Sequence, residues 1–226
     1  MIRLRDVHKG FTVSDGRRLE ILRGINLEVR RGESVAILGR SGSGKTTLLN
    51  IIGLLETSDS GVYELGDRAV ADLSENELAR LRGEHFGFVF QDYHLFPRRS
   101  ALANVAAPLY HASRREYRDR RETARHLLHA VGLEGRERAR PNVLSGGEQQ
   151  RVAIARSLSR KPKCILADEP TGSLDVDTAE RVLDLLFTIV RVQSCALVLI
   201  THDRDVARRA DRVFTLREGA LALTGS

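Results

Sequence analysis

Four short stretches of the chain are apolar at almost every position instead of alternating between apolar and polar residues. They are Ser34 to Leu38, Phe86 to Phe90, Cys164 to Ala167 and Ala196 to Ile200. A strand that is apolar on both faces is typical of a mostly parallel sheet that helices cover on both sides. In the second stretch, Gly87 allows another part of the backbone to approach closely. The pattern therefore predicts an α/β core.

Two other patterns flank these strands. "IRLRDVHKGF" and "INLEVRRGES" alternate apolar and polar residues and are separated by glycine-containing turns, which predicts an antiparallel sheet lobe at the N-terminus. From Ser100 to Ser159 the apolar residues recur at helical spacing, and Gly132 suits the end of a helix. This middle part is therefore predicted to be a helical lobe.

The length and composition suit one large domain. The chain has 226 residues, of which 42% are hydrophobic and 29% charged, and a chain of this size can bury a proper core. We predict a single domain with a core of about residues 1–91 and 159–226 and an inserted helical lobe at about residues 92–158.

The charge and the apolar runs limit the class of partner. The formal net charge is +6, but the arginines alternate with acids, as from Ser113 to Arg125. A solvated helical face, or a surface near anionic lipid head groups, explains this balance better than nucleic-acid binding does. No apolar run approaches the roughly 18 residues that cross a bilayer, and no apolar signal segment is evident. We expect any membrane role to depend on a partner.

The cysteines and histidines do not predict a disulfide or a metal site. Cys164 and Cys195 lie in apolar runs and are predicted to be small core residues of a protein from a reducing compartment. His126 and His129 are three residues apart on a predicted helix, but no third ligand stands nearby. Packing or surface roles are therefore expected for them.

A phosphate-binding loop follows the first apolar strand. Gly39 to Thr46 fits the pattern G-x-x-x-x-G-K-[ST], and "TTLLNIIGLL" after it is predicted to continue as a helix. Backbone amides would close around phosphate oxygens, with Lys45 reaching the β- and γ-phosphates and the Thr46 hydroxyl binding Mg²⁺. A glycine-rich turn that matches by chance is the alternative. The loop residues expected to contact the nucleotide are Gly39, Arg40, Ser41, Gly42, Ser43, Gly44, Lys45, Thr46 and Thr47.

Two adjacent carboxylates end the apolar run that begins at Cys164. Asp168 at the strand end can hold Mg²⁺ through water, and Glu169 can act as general base on the attacking water. The structural alternative is an acid pair that only caps the next segment.

Three further polar residues follow predicted strands. Gln91 could reach Mg²⁺ or the attacking water, His202 could contact the γ-phosphate, and Asp175 lies just beyond the two carboxylates. Each is weak evidence alone, because a lone glutamine or histidine at a strand end is usually structural. Their order and placement together indicate phosphate sensing.

"LSGGEQQ", from Leu144 to Gln150, resembles the signature motif of the nucleotide-binding subunits of ABC transporters, and the resemblance runs almost end to end. It implies a P-loop NTPase (RecA-like) fold and an ATPase that uses ATP and Mg²⁺. By this resemblance Gln91 is the glutamine of the Q-loop, Ser173 to Asp175 is the D-loop and His202 is the switch histidine. Phe11 stands where the family has an aromatic residue that stacks on adenine; a plain core residue is the alternative.

The resemblance also implies the partners. Two copies would face each other head to tail, and Ser145, Gly146, Gly147 and Glu148 of one copy would close over the ATP bound by the other. Tyr93 to Arg99 would seat a coupling helix of an integral-membrane permease subunit. The family implies a peripheral position on the cytoplasmic face of the inner membrane and no nucleic-acid partner.

The sequence around Gln91 and Glu169 is similar to the branch that contains lipoprotein-release, macrolide-export and haem-export ATPases, although many members have Asn in place of Ser173. We expect export or extraction of a hydrophobic or amphipathic substrate, with haem, peptide, drug and lipoprotein all open. The alternative is an ATPase of a transmembrane signalling complex without transport. A metabolic kinase would leave the signature motif unexplained.

Overall fold

The predicted strands are all present in the computed structural model, which describes residues 1–12 and 16–225. The chain divides into two compact units. The first is formed by Met1–Arg82 together with Ala196–Ser226, and the second by Gly83–Cys195. The predicted lobe boundary at about residues 92–158 is not tested by this division and stays a prediction.

The first unit contains the antiparallel sheet predicted at the N-terminus. Its four strands are β1 (Ile2–Thr12), β2 (Arg18–Val29), β4 (Ser60–Leu65) and β5 (Arg68–Ala69). They lie in the order β2-β1-β4-β5, and all neighbours are antiparallel. Along β1, Ile2, Leu4 and Val7 are buried and the residues between them are more exposed, with a register shift between Leu4 and Val7, as expected for a sheet with one face on the core.

The first unit also contains parallel strands. β3 (Ser34–Leu38) lies between β8 (Ala196–Thr201) and β9 (Arg212–Arg217) and is parallel to both. All six residues of β8 are buried, which confirms that a continuous apolar run marks a central strand here. β10 (Ala220–Gly225) returns antiparallel to β9, and this C-terminal hairpin was not predicted.

The first helix is shorter than its sequence predicts. α1 spans Lys45–Ile52 and ends at Gly53, whereas the apolar run after the loop continues to Leu55. Leu54 has a φ of 57°, in the left-handed region, so the helix cannot continue through it. The Leu54 carbonyl accepts a hydrogen bond from Arg82 in α2 (Glu75–His85). The remaining helix of this unit is α7 (Arg204–Ala207).

The second unit contains a parallel strand pair and most of the helices. β6 (Phe86–Phe90) runs parallel to β7 (Cys164–Asp168). A Cβ at Gly87 would collide with the backbone of Ser157, which confirms the close approach predicted there. The helices are α3 (Ala101–Ala106), α4 (Arg114–Ala130), α5 (Gly146–Leu158) and α6 (Val176–Val192), with short 3-10 segments at Ala107–His111 and Pro141–Val143.

The ends of α4 show how local sequence sets the helical part. Ser113 accepts a hydrogen bond from the amide of Glu116, and the Glu116 carboxylate accepts one from the amide of Ser113, which is a complete capping box. At the other end Gly132 has a φ of 70°, so the predicted helix stop is confirmed. Within the described residues, no helix is long and apolar enough to cross a bilayer.

Candidate nucleotide-binding site

The phosphate-binding loop connects β3 to the first turn of α1 in the first unit. Gly44 is the N-cap residue and has a φ of 97°, a conformation that glycine adopts without strain. No side chain caps this helix, and no acidic residue lies in its first turn. The amides and the positive end of the helix dipole are therefore offered to an anion.

Two side chains of the loop are arranged for phosphate. The buried Lys45 ammonium donates to the carbonyls of Gly39, at 2.8 Å, and Arg40, at 2.9 Å, so it is folded over the loop. The Ser43 hydroxyl is buried and has no hydrogen-bond partner among the residues that the structure describes. A buried hydroxyl without a partner is costly, and a phosphate oxygen in the loop would satisfy it.

His202 and the beginning of the loop line one pocket. His202 directly follows β8, and the pocket has a volume of about 470 Å³. Arginine side chains make the lining strongly basic, which favours an anionic ligand. The structure thus brings the predicted switch histidine to the phosphate-binding loop. The lining residues are Leu38, Gly39, Arg40, His202, Arg204, Thr215, Leu216 and Arg217.

Phe11 is not a core residue, because its side chain is 41% exposed. It lies near the end of β1 opposite Leu19 of β2. Two residues further along β2, Ile21 packs against the loop, because a Cβ at Gly44 would be 2.8 Å from its Cγ2. The strand pair that carries the exposed ring therefore touches the phosphate-binding loop.

In the second unit, the proposed catalytic residues follow neighbouring strands. Phe90 and Asp168 are opposite each other in the β6–β7 pair, so Gln91 and Glu169 follow at the same edge. The Gln91 amide packs against Gly172, where a Cβ would be 3.0 Å from Nε2. Glu169 itself has a φ of 45°, in the left-handed region. The strand ends thus bring together the proposed general base and the proposed Q-loop glutamine.

The segment after Gln91 is hydrogen-bonded to the proposed D-loop. The hydroxyls of Tyr93 and Ser173 are 3.0 Å apart, and the Ser173 hydroxyl also donates to the Gln91 carbonyl. Asp175 caps α6 by accepting from the Thr178 amide at 3.0 Å, and hydrogen bonds from Thr178 lower the pKa of its carboxyl. The observed contact of Asp175 is therefore a helix cap.

Helix α5 begins at the signature motif with a capping box. The Ser145 hydroxyl accepts from the Glu148 amide, and the Glu148 carboxylate accepts from the Ser145 amide at 2.8 Å and from Arg136 at 2.9 Å. The backbone hydrogen bond from Ser145, aided by Arg136, lowers the pKa of Glu148. Gly146 and Gly147, whose amides this box does not use, lie between them.

Neither of these glycines has room for a side chain. A Cβ at Gly146 would be 2.9 Å from the Tyr93 hydroxyl and 3.1 Å from Leu174, and one at Gly147 would collide with the Thr178 methyl group. The signature turn is therefore packed against both the Q-loop segment and the beginning of α6. Replacing Gly146 would disturb these neighbours as well as any phosphate contact.

Sequence reasoning missed three side chains that shape this part of the chain. Asn104 is fully buried; it accepts from the Phe96 amide and donates to three carbonyls of the segment before it. Gln150 is fully buried and donates to the Pro170 carbonyl. Arg156 donates to the carbonyls of the two left-handed residues after Gln91. The only signal was a polar residue at an otherwise apolar helical position.

The ABC transporter family model matches residues 22–172, more than half of the chain. The chain therefore belongs to the ABC transporter family, and it is an ATP-binding and ATP-hydrolysing domain of that family. It is similar over its whole length to the ATP-binding cassette MJ0796, with 38% identity and a TM-score of 0.90 to a dimeric post-hydrolysis state bound to ADP and Pi; 98% of that chain is covered.

Curated relatives point to one branch of the family. The chain is 49% identical to the lipoprotein-releasing system ATP-binding protein LolD of Bordetella pertussis, covering 96% of this chain and 94% of LolD. It is 47% identical to the macrolide export ATP-binding/permease protein MacB of Rhodopirellula baltica and 48% identical to the pyoverdine export ATP-binding/permease protein PvdT of Pseudomonas entomophila. Both alignments include 98% of this chain, but the chain spans only 32% of the length of MacB and 34% of that of PvdT. These matches confirm the predicted branch.

Proposed function

We propose that this chain is the ATPase of a membrane transporter that works as a pair of copies and drives export or extraction of a hydrophobic or amphipathic compound through a permease. The observation that carries the proposal is the first turn of α1, which within the described part of the chain has no side-chain cap and no acid and lies beside the buried Ser43 hydroxyl, unpaired there. Such a turn is prepared for the phosphates of a nucleotide.

The phosphate-binding loop would hold ATP by charge and by backbone geometry. Lys45 now donates to two loop carbonyls, and on binding it would turn to the β- and γ-phosphates. The Ser43 hydroxyl would find a phosphate oxygen as its partner. Phe11 would stack on the adenine, because its ring is exposed on the strand pair that touches the loop.

The residues proposed for Mg²⁺ have the chemistry that this ion requires. Thr46 would supply a hydroxyl, Gln91 an amide oxygen and Asp168 a carboxylate, and Mg²⁺ prefers such oxygen ligands together with water and substrate phosphates. When bound, the ion would neutralise charge that develops on the phosphates.

Hydrolysis would need a base and a sensor of the γ-phosphate. Glu169 would accept a proton from the attacking water while Gln91 orients that water. His202 would contact the γ-phosphate from the basic pocket that it shares with Gly39 and Arg40. Asp175 would act through the D-loop, where it caps the beginning of α6.

The signature turn would serve the ATP of a second copy. Ser145, Gly146 and Gly147 begin a helix, and two amides of that turn are not used by the capping box. The occurrence of dimers among similar cassettes supports pairing of two copies. ATP binding would close the pair, and loss of the γ-phosphate would open it.

The permease partner is supported by the relatives. LolD is named for lipoprotein release, and MacB and PvdT are named as combined ATP-binding and permease proteins. The exposed segment Tyr93 to Arg99, anchored by Asn104 and Arg156, would seat a cytoplasmic helix of such a permease. The chain would then lie on the cytoplasmic face of the inner membrane.

A Glu169→Gln variant tests this function. We expect ATP to bind with unchanged affinity, hydrolysis to fall by about 10²- to 10⁴-fold because the general base is lost, and size-exclusion chromatography to show a dimer only with ATP. Glu122→Gln on the exposed face of α4 is the matched control and should hydrolyse normally. Normal turnover by Glu169→Gln would overturn the role of Glu169, and a wild-type chain that binds no ATP would overturn the function.

A further inference from the structure

Asp59, in the loop before β4, joins three residues of the β1–β2 strand pair. Its carboxylate accepts a hydrogen bond from the Gly10 amide at 2.8 Å and one from the Arg18 guanidinium at 2.5 Å, and it lies 3.4 Å from the Lys9 ammonium. Its own amide donates to the His8 carbonyl. The backbone hydrogen bond from Gly10 and the charge of Lys9 lower the pKa of Asp59, so the carboxylate is ionised at neutral pH. One carboxylate thus fixes both strands.

Lys9 connects this carboxylate to the aromatic ring. Its side chain is only 9% exposed, and its ammonium lies 2.8 Å from Glu56 and 5.1 Å from the centre of the Phe11 ring. Burial opposes the charge, but hydrogen bonds and attraction from Glu56 and Asp59 raise the pKa of Lys9 above its ordinary value. The ammonium is therefore charged and makes a cation–π contact with the ring.

The strand pair is irregular at the same point. Lys9 is opposite Leu22 but Gly10 is opposite Glu20, so Ile21 of β2 has no partner on β1. Such a bulge re-aims the side chains beside it and leaves a local gap in the ladder. The Gly10 amide is used by Asp59 at this gap, and Ile21 packs against the Gly44 position of the phosphate-binding loop.

We propose that Asp59 is a positioning residue for the nucleotide base. Through its contacts with Gly10, Lys9 and Arg18 it fixes the end of β1, and this holds the Phe11 ring where it can stack on the base of an ATP bound at the phosphate-binding loop. The inference rests on the proposed function, in which Phe11 stacks on adenine. Asp59 would hold the Phe11 ring in place before ATP binds, and it would not contact ATP itself.

The test compares two ligands in four chains. The affinities of Mg-ATP and of Mg-tripolyphosphate, which has no base, are measured for the wild type, Phe11→Ala, Asp59→Ala and the double variant. Since base stacking on an aromatic residue is a substantial contribution, Phe11→Ala should weaken ATP about tenfold and leave tripolyphosphate unchanged. Asp59→Ala should weaken ATP about fivefold, again with tripolyphosphate unchanged, because the ring is then less ordered. The double variant should match Phe11→Ala alone.

The controls separate positioning from simple stability. Glu64→Ala removes a carboxylate of similar exposure that pairs with Arg3 on the same sheet, and it should change neither affinity. Asp59→Glu should recover part of the lost ATP affinity. If Asp59→Ala weakens both ligands equally, or if its effect adds to that of Phe11→Ala, the positioning role is wrong. If the wild type binds neither ligand, the proposed function itself is wrong. If Phe11→Ala lowers the affinity for ATP but Asp59→Ala does not, only this inference is wrong.

Discussion

Helices α1 and α5 both begin beside residues proposed to contact phosphate, and their first turns are built in opposite ways. α1 begins after Gly44, has no side-chain cap and has no acid in its first turn. α5 begins after Ser145, has a complete capping box and has Glu148 in its first turn. The positive end of α1 is thus open to an anion, while that of α5 is partly neutralised by its own carboxylate.

This difference indicates an order of events. The first turn of α1, with Lys45 beside it, can hold a phosphate by itself. The first turn of α5 is better suited to contact an anion that is already held elsewhere, because its capping acid disfavours a free one. ATP would therefore bind first to the phosphate-binding loop and only then recruit the signature turn of a second copy.

The largest effect is expected from removing the cation of α1. Lys45→Met should weaken ATP binding roughly 10- to 100-fold, because the hydrogen bonds of a charged donor to the phosphates are lost. Isothermal titration with Mg-ATP measures this loss. Lys163→Met is the control, since Lys163 is an exposed lysine whose ammonium lies 3.1 Å from His85. Unchanged affinity of Lys45→Met would mean that the loop amides alone bind the phosphates.

The second prediction concerns the packing that fixes the first turn of α5. Gly147→Ala should lower the free energy of unfolding by about 1–3 kcal/mol, because the new methyl group collides with that of Thr178. Thr178→Ser removes the opposing methyl group, so the double variant should recover most of the loss. Urea unfolding measures both changes. If the double variant is no more stable than Gly147→Ala, the collision is not the cause.

A smaller effect is expected from the acid of α5. Glu148→Gln keeps the geometry of a capping box but removes the charge, so the turn should accept an anion more readily. In the Glu169→Gln background, the ATP concentration that gives half-maximal dimer should fall by about two- to fivefold. Glu116→Gln changes the same kind of capping box on α4 and should have no effect. A weaker dimer in Glu148→Gln would show that the carboxylate supports the contact.

The smallest effect is a dependence of stability on pH that comes from the acid in the first turn of α5. The pKa of Glu148 in the folded chain is lowered from 4.5, so its contribution to stability is present above pH 4.5 and is lost as the pH falls through the folded-state value. The difference in unfolding free energy between wild type and Glu148→Gln should be constant from about pH 7 to pH 5 and shrink below that. Urea titrations at each pH measure it, and a difference that grows towards low pH would contradict the sign.

The core strands could be predicted from the sequence because burial on both faces leaves a local signal. β8 is apolar at nearly every position, so the strand can be recognised from its own residues without knowing which strands lie beside it. The phosphate-binding loop was predictable for the same reason, since its glycines and Lys45 are contiguous. The C-terminal hairpin was missed because β9 and β10 are short, β10 is mostly exposed, and neither strand is apolar throughout.

The contacts that orient the site residues could not be predicted. Asp59 reaches Gly10 and Arg18 across more than forty residues, and nothing in its local sequence distinguishes it from an ordinary turn residue. The early end of α1 depends on the left-handed conformation of Leu54, which an apolar pattern does not reveal. Ser145 followed three residues later by Glu148 is the sequence pattern of a capping box. That the Glu148 carboxylate partly neutralises the positive end of α5 follows only from the hydrogen bonds in the structure.

The backbone of Glu169 carries one more consequence. Its left-handed conformation costs a non-glycine residue about 1–2 kcal/mol, and the surrounding strand and turn hold it there. Glycine at this position would relieve that strain, so Glu169→Gly should melt at a higher temperature while hydrolysing ATP about 10²- to 10⁴-fold more slowly. Selection for heat resistance alone would therefore remove the proposed general base, and thermostable variants of this chain should be sought by screening for turnover as well as for melting temperature.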